Sequence, residues 1–154
     1  MSYNKIFDMV VIGAGLSGVG AACRYKTKFP NDNILIFESR SSIGGTWDLF
    51  RYPGVRSDSD MLTLGYDFRP WKGNKTLADG KSIRDYIHSV AKEYDIIQFI
   101  KYMSEVISVD YSTEECLWYI TLKNLKTLHV FLFHMPHQQI NFLYLVLRML
   151  LSLK

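Results

Sequence analysis

The segment Gly13-Ala14-Gly15-Leu16-Ser17-Gly18 leaves this chain few folds to choose from, because of what stands on either side of it. Before it, Asp8-Met9-Val10-Val11-Ile12 is an almost wholly apolar run, the pattern of a parallel strand buried on both faces. After it, Leu16 to Phe29 carries apolar residues at helical spacing until Pro30-Asn31-Asp32 stops the helix. A second apolar run, Asn33-Ile34-Leu35-Ile36-Phe37, follows and ends in Glu38. Strand, glycine turn, helix and second strand compose a βαβ unit. In such a unit Gly13 makes the strand-to-helix turn, Gly15 lets the backbone approach a pyrophosphate, and Gly18 lets the helix lie close on the sheet. Backbone N–H groups at the helix start then face the phosphates. Glu38 comes 25 positions after Gly13. That is near the ~20 at which a carboxylate accepts hydrogen bonds from an adenosine ribose and repels a 2′-phosphate. Glycines often mark ordinary tight turns, so the dinucleotide reading rests on all the parts falling in order. Their place at the very start of the chain fits a protein whose first nucleotide is a tightly held cofactor, as in flavoproteins.

The stretch from Ser41 to Asp58, SSIGGTWDLFRYPGVRSD, is too rich in glycine, aromatics and charge for a plain linker. GGTWD followed by RYPG and a nearby Asp resembles the flavin-dependent Baeyer-Villiger monooxygenases. The continuation SDMLTLGY, with Phe68-Arg69-Pro70-Trp71, resembles their ethionamide-activating branch, and the likeness runs from about residue 7 to about residue 125. The resemblance implies that Ser17 and Glu38 contact FAD, that Gly45, Thr46, Trp47, Asp48 and Leu49 run along it, and that Val106 meets the adenine through its backbone. It places Asp58 beside the isoalloxazine ring as the catalytic-site candidate. Arg56, Ser57 and Asp58 would also lie where NADPH approaches the flavin, with Asp58 orienting an arginine from much later in the family's sequence. A blander reading makes Trp47, Tyr52 and Trp71 packing aromatics, the glycine pairs turns, and Arg51, Arg56 and Asp58 solvated ion pairs.

Residues 74 to 125 read as support. Ser82 precedes an amphipathic run, Ile83 to Tyr94, with Asp85 placed as in a capping box. His88 falls mid-helix and is read as a surface or packing residue. Ile97 to Tyr102, Val106 to Val109 and Leu117 to Leu122 alternate in part and predict a small β-meander. The expected fold class is therefore α/β: a Rossmann-like FAD-binding βαβ unit with a parallel sheet and an added meander, incomplete relative to the family.

With 154 residues, 48% of them hydrophobic, the chain is long enough to bury one core. A formal charge of +3 is too small to argue for nucleic acid. Residues 1–115 hold 14 basic against 15 acidic residues, whereas the last 39 hold 4 basic and none acidic. All ten glycines lie at or before Gly80. The likeness stops near Lys126, before the second GxGxxG and the histidine-bearing motif the family would carry. The expected division is thus an FAD-binding portion, 1–125, and an aberrant tail, 126–154, attributed to a frameshift or gene decay.

In that tail His129, His134 and His137 invite a metal reading. Pro136 breaks a helix there, no carboxylate follows, and neither Cys23 nor Cys116 has ligand spacing, so no metal is expected. Ile140 to Leu153 falls short of the ~20 residues of a membrane span and contains Arg148. A helix lying on a membrane stays open, although the run is not clearly amphipathic. The cysteines give no disulfide framework and no leader pattern opens the chain, so a cytoplasmic setting is expected.

Three functions follow. The first is the FAD-binding fragment of an NADPH- and oxygen-dependent monooxygenase acting on a ketone or thioether, inactive alone. The second is a stand-alone FAD or adenine-nucleotide module. The third is part of an N- or S-oxygenating flavin monooxygenase, which shares the early glycines and GGTW but not the RYPG to Asp58 stretch.

Overall fold

A computed structural model describes residues 6–123 and the strand Phe131–His134. Strand β1 (Ile6–Phe7) and strand β2 (Met9–Ile12) are separated by Asp8 alone. Asp8 leaves the ladder because it is tied to the start of the next strand. Its carboxylate accepts the Asn33 N–H at 2.7 Å, and its own N–H donates to the Asn33 carbonyl at 2.9 Å.

From β2 the chain turns through Gly13 into helix α1 (Leu16–Lys28) and returns as β3 (Ile34–Phe37). β3 pairs parallel with β2, Val10 opposite Leu35 and Ile12 opposite Phe37. β4 (Ile100–Lys101) adds a third parallel strand on the far side of β3. The expected βαβ unit is present, and α1 stops one residue before Phe29. Lys26 and Lys28 fall in its last turn, where their charges oppose the negative end of the helix dipole.

The meander differs from expectation. Ile97–Phe99 forms a single 3₁₀ turn and Ile100–Lys101 enters the parallel sheet instead. Partial alternation marks a strand but not its partner. The partner is set by the Glu38 N–H, which donates to the Lys101 carbonyl at 2.9 Å, and by fully buried Ile96 at the base of the turn. The antiparallel strands are β5 (Val106–Ser112), β6 (Leu117–Leu122) and β7 (Phe131–His134), and β7 also pairs parallel with β1. β7 comes from within the stretch read as tail, and its backbone ends at His134. His129, His137 and the run from Ile140 lie outside the described residues.

Alternation along the strands divides the core. Val11, Ile34 and Ile36 face α1 and helix α4 (Gly80–Glu93), joining Val19, Ala22, Cys23, Ile83, Ile87 and Val90 in one buried cluster. Phe7, Val10 and Phe37 face the other way, onto Ile120 and Leu122 of β6. α4 begins earlier than the Ser82 reading placed it. Asp79 is the N-cap and accepts the Ser82 N–H at 2.9 Å, while the Ser82 hydroxyl donates to the same carboxylate at 2.9 Å. An Asp at the N-cap outcompetes the Ser three positions on, which becomes its partner. Two one-turn helices, α2 (Thr46–Leu49) and α3 (Met61–Leu64), lie in the long connection between β3 and α4.

Among the described residues no helix is long and apolar enough to cross a membrane, and no group of three His, Cys, Asp or Glu could hold a metal ion. Burial pushes the Cys23 thiol up to about 12, so it is not a nucleophile near neutrality.

Candidate functional site

The carboxyl ends of β2, β3 and β4 are laced together by backbone hydrogen bonds. The Gly13 N–H donates to the Phe37 carbonyl at 2.7 Å, and the Ser104 N–H donates to the Glu38 carbonyl at 2.8 Å. Gly13 makes the turn at φ +91°, a conformation L side chains rarely adopt. A Cβ on Gly18 would overlap the Gly13 carbonyl oxygen, so only glycine lets α1 begin directly above the turn. The first N–H groups of α1 have no acceptor inside the helix and carry its positive dipole end. Ser17 is exposed on this turn.

A second glycine pair faces the first. The Gly44 N–H donates to the Ala14 carbonyl at 3.0 Å, and Gly45 turns at φ +56° into α2. A Cβ on Gly45 would come to 2.9 Å of the Gly15 Cα, and one on Gly15 to 3.3 Å of the Gly45 Cα. Two stretches of bare backbone thus close on each other at the mouth of the βαβ unit, leaving a cradle that a side chain would fill.

Glu38 lies at the edge of this cradle and is only 4% exposed. Its Oε2 accepts the Ala14 N–H at 2.8 Å and its Oε1 the Arg40 N–H at 2.9 Å. Two backbone donors orient a buried carboxylate beside the glycine turn. Half-buried Val106 opens β5 two residues beyond Ser104, and the register with β6 shifts between Val106 and Ser108. The bond from Ser104 to Glu38 brings this segment to the end of β3.

The GGTWD segment divides by side chain. Thr46 and Leu49 are exposed, and Trp47 packs partly into the α1 and α4 core. Asp48 turns inward. It accepts the Ser42 hydroxyl at 2.5 Å and Arg51 Nη2 at 2.7 Å, with Arg84 of α4 at 3.6 Å and Arg40 at 3.8 Å. Burial works against its ionisation, but the hydrogen bonds from Ser42 and Arg51 and the charges of Arg51 and Arg40 outweigh it, holding the carboxyl below its ordinary value. Arg51 therefore pairs with Asp48 and not with Asp58.

Of the later trio, Arg56 and Asp58 are exposed and Ser57 is buried. The Ser57 N–H donates to the Ala78 carbonyl at 3.0 Å and its hydroxyl accepts the Ser59 N–H at 3.1 Å. Gly13, Gly15, Gly18, Glu38 and Gly45 are thus gathered around one cradle, and Val106 follows two residues after the Ser104 that bonds to Glu38. The Arg56 backbone pairs instead with that of Asp79 in an isolated antiparallel bridge at the start of α4, and Asp58 follows it, exposed, two residues on. Sequence reasoning missed Arg40, Ser42 and Arg84. No fixed spacing announces them, because Asp48 draws Arg40 and Ser42 from the loop after β3 and Arg84 from α4.

A model of the NAD(P)-binding Rossmann-like domain matches residues 11–70. MymA of Mycobacterium tuberculosis is 53% identical over 115 residues, covering 75% of this chain and 23% of that protein. The FAD-containing monooxygenase EthA of the same species is 50% identical over 121 residues, covering 79% and 25%. A steroid monooxygenase bound to NADP superposes with a TM-score of 0.75 at 27% identity, covering 84% of this chain and 25% of that one. The OTEMO complex with FAD and NADP gives 0.71 at 28% identity, covering 81% and 24%. This chain spans about a quarter of the length of the relatives it matches. By fold, motif order and sequence identity, this chain matches the N-terminal nucleotide-binding part of the FAD-containing monooxygenases.

Proposed function

We propose that the chain binds FAD and is the flavin-binding part of an NADPH-dependent monooxygenase of the Baeyer-Villiger or sulfoxidising kind. The observation that carries this is the cradle: Gly15 against Gly45, with the buried Glu38 carboxylate fixed at its edge. The pyrophosphate would lie against the bare backbone and the first N–H groups of α1, including that of Ser17. Glu38 would take the adenosine ribose hydroxyls. The Val106 backbone would meet the adenine, and Gly45, Thr46, Trp47, Asp48 and Leu49 would run along the rest of the cofactor. Bound FAD would supply the redox chemistry.

The outer loop then takes a separate role. Exposed Arg56 and Asp58, fixed by buried Ser57 between them, would face the incoming nicotinamide cofactor. Asp58 would orient a basic side chain supplied by family sequence beyond the matched region. On this reading residues 1–125 form the FAD-binding portion, and the chain by itself oxidises no NADPH. A ketone or thioether would be the substrate of the complete assembly.

The pairing of β7 with both β1 and β6 favours a second reading, because it covers an edge of β1 that would otherwise be open. In that reading the chain is a self-standing FAD or adenine-nucleotide module.

The test is to purify the chain, add FAD, remove excess by gel filtration and read the visible spectrum. Retained flavin near one per chain is expected, without NADPH oxidation. A colourless protein whose fluorescence does not respond to FAD overturns the proposal, and steady NADPH consumption overturns the claim that the chain is inactive alone.

A further inference from the structure

Arg40 stands outside every motif of the chain, yet it touches both halves of the cradle. Its backbone is held at each end, the N–H by Glu38 Oε1 at 2.9 Å and the carbonyl by the Met103 N–H at 3.0 Å. The three guanidinium nitrogens each have a different neighbour. Nη2 donates to the Gly45 carbonyl at 2.6 Å, Nε lies 3.6 Å from Glu38 Oε1, and Nη1 lies 3.8 Å from Asp48 Oδ2. Glu38 and Asp48 are both buried, and Arg40 is the cation between them.

We infer that Arg40 is a positioning residue for the dinucleotide, its guanidinium setting the spacing between the Glu38 carboxylate and the Gly45 turn. This rests on the reading that the chain binds FAD. Glu38 has backbone donors of its own and keeps its place without the guanidinium. The Gly44–Gly45 turn is tied to the first glycine turn by the Gly44 to Ala14 bond, with Arg40 as its brace from the β3 side. A ligand that needs only Glu38 and the first glycine turn therefore depends little on Arg40, whereas one that spans both turns depends on it strongly. ADP is the first kind and FAD the second. A lysine keeps the charge but concentrates it at one point, and cannot serve three neighbours from one rigid fork.

The experiment titrates FAD and ADP against the full chain, its Arg40→Lys variant and its Arg40→Ala variant, with thermal unfolding of each unliganded protein alongside. Arg40→Lys is expected to weaken FAD about tenfold, the equivalent of one lost charge-assisted hydrogen bond, while ADP stays within about twofold. Arg40→Ala is expected to widen the same gap, and Arg40→Lys carries the test if the alanine variant does not fold. A merely structural role would lower both affinities together and leave their ratio unchanged, which overturns the inference. A wild-type chain that binds no FAD overturns the underlying reading, and this inference falls with it.

Discussion

Oε2 of Glu38 lies 2.8 Å from the backbone nitrogen of Ala14, a residue 24 positions earlier, so the end of β3 is hydrogen-bonded into the turn that follows β2. The other oxygen takes the Arg40 N–H. The carboxylate therefore does structural work before any ribose arrives. Glu38→Gln keeps the shape but offers one carbonyl oxygen to two backbone donors and turns an NH₂ group toward the other. A loss of about 1 to 3 kcal/mol is expected, read as a lower urea midpoint with an unchanged slope. FAD affinity should fall as well. A midpoint equal to wild type would mean that the two backbone bonds carry no weight.

The glycines of the turn should not respond alike. Gly18→Ala drives a methyl into the Gly13 carbonyl oxygen and to 3.1 Å of a Val11 methyl, both inside the packed βαβ junction. A destabilisation of about 1 to 3 kcal/mol is expected, seen as a lower melting temperature. At Gly15 an added Cβ meets only the facing Gly45 backbone, so with Gly15→Val the fold should survive and flavin retention be lost. If flavin is retained by Gly15→Val, the pyrophosphate does not lie at this turn.

Asp79 caps α4 through the Ser82 N–H, with the Ser82 hydroxyl as a second contact. Asp79→Ala should cost about 1 kcal/mol, and Ser82→Ala less, because it keeps the backbone bond. Hydrogen exchange at the first turn of α4 should quicken more in the first variant than in the second. Equal quickening would assign the cap to the hydroxyl and not to the carboxylate.

The parts legible in the sequence were those whose physics is local. A continuous apolar run, a glycine turn and a 3.6-residue period identified β2, α1 and β3 almost to the residue, since each signal lies within its own element. Glu38 was legible because a fixed distance from Gly13 follows from the length of a strand and a helix. Partnerships across space were not. The stretch around Ile100 reads as a strand, but joins β3 and not the meander because of the Glu38 to Lys101 bond. Ser82 looked like a cap because its rival, Asp79, lay outside the apolar run. Arg51 lies only three residues from Asp48, but the other ion pairs of Asp48 were invisible, since Arg40 and Arg84 reach it only after the loop behind β3 and α4 have packed.

That convergence makes the acid limb of stability a test of the site. Asp48 titrates below its ordinary 3.8 in the folded chain, because the bonds from Ser42 and Arg51 and the charges of Arg51 and Arg40 overcome its burial. Below pH 3.8 the unfolded chain takes up a proton that the folded chain still refuses, so stability drops as pH falls through the folded value. Above 3.8 the contribution is complete and does not change with pH. Asp48→Asn removes the titration, leaves Arg51 without its anion and leaves Arg40 with Glu38 alone. At neutral pH it should cost about 2 kcal/mol, and the gap to wild type should narrow as urea midpoints are followed downward from pH 4. Other lowered carboxyls, such as Asp60 and Asp79, titrate in both proteins and cancel in the difference. A gap that stays constant into the acid range would show that Asp48 is held by packing alone, and that the arginines around it do not set the GGTWD turn.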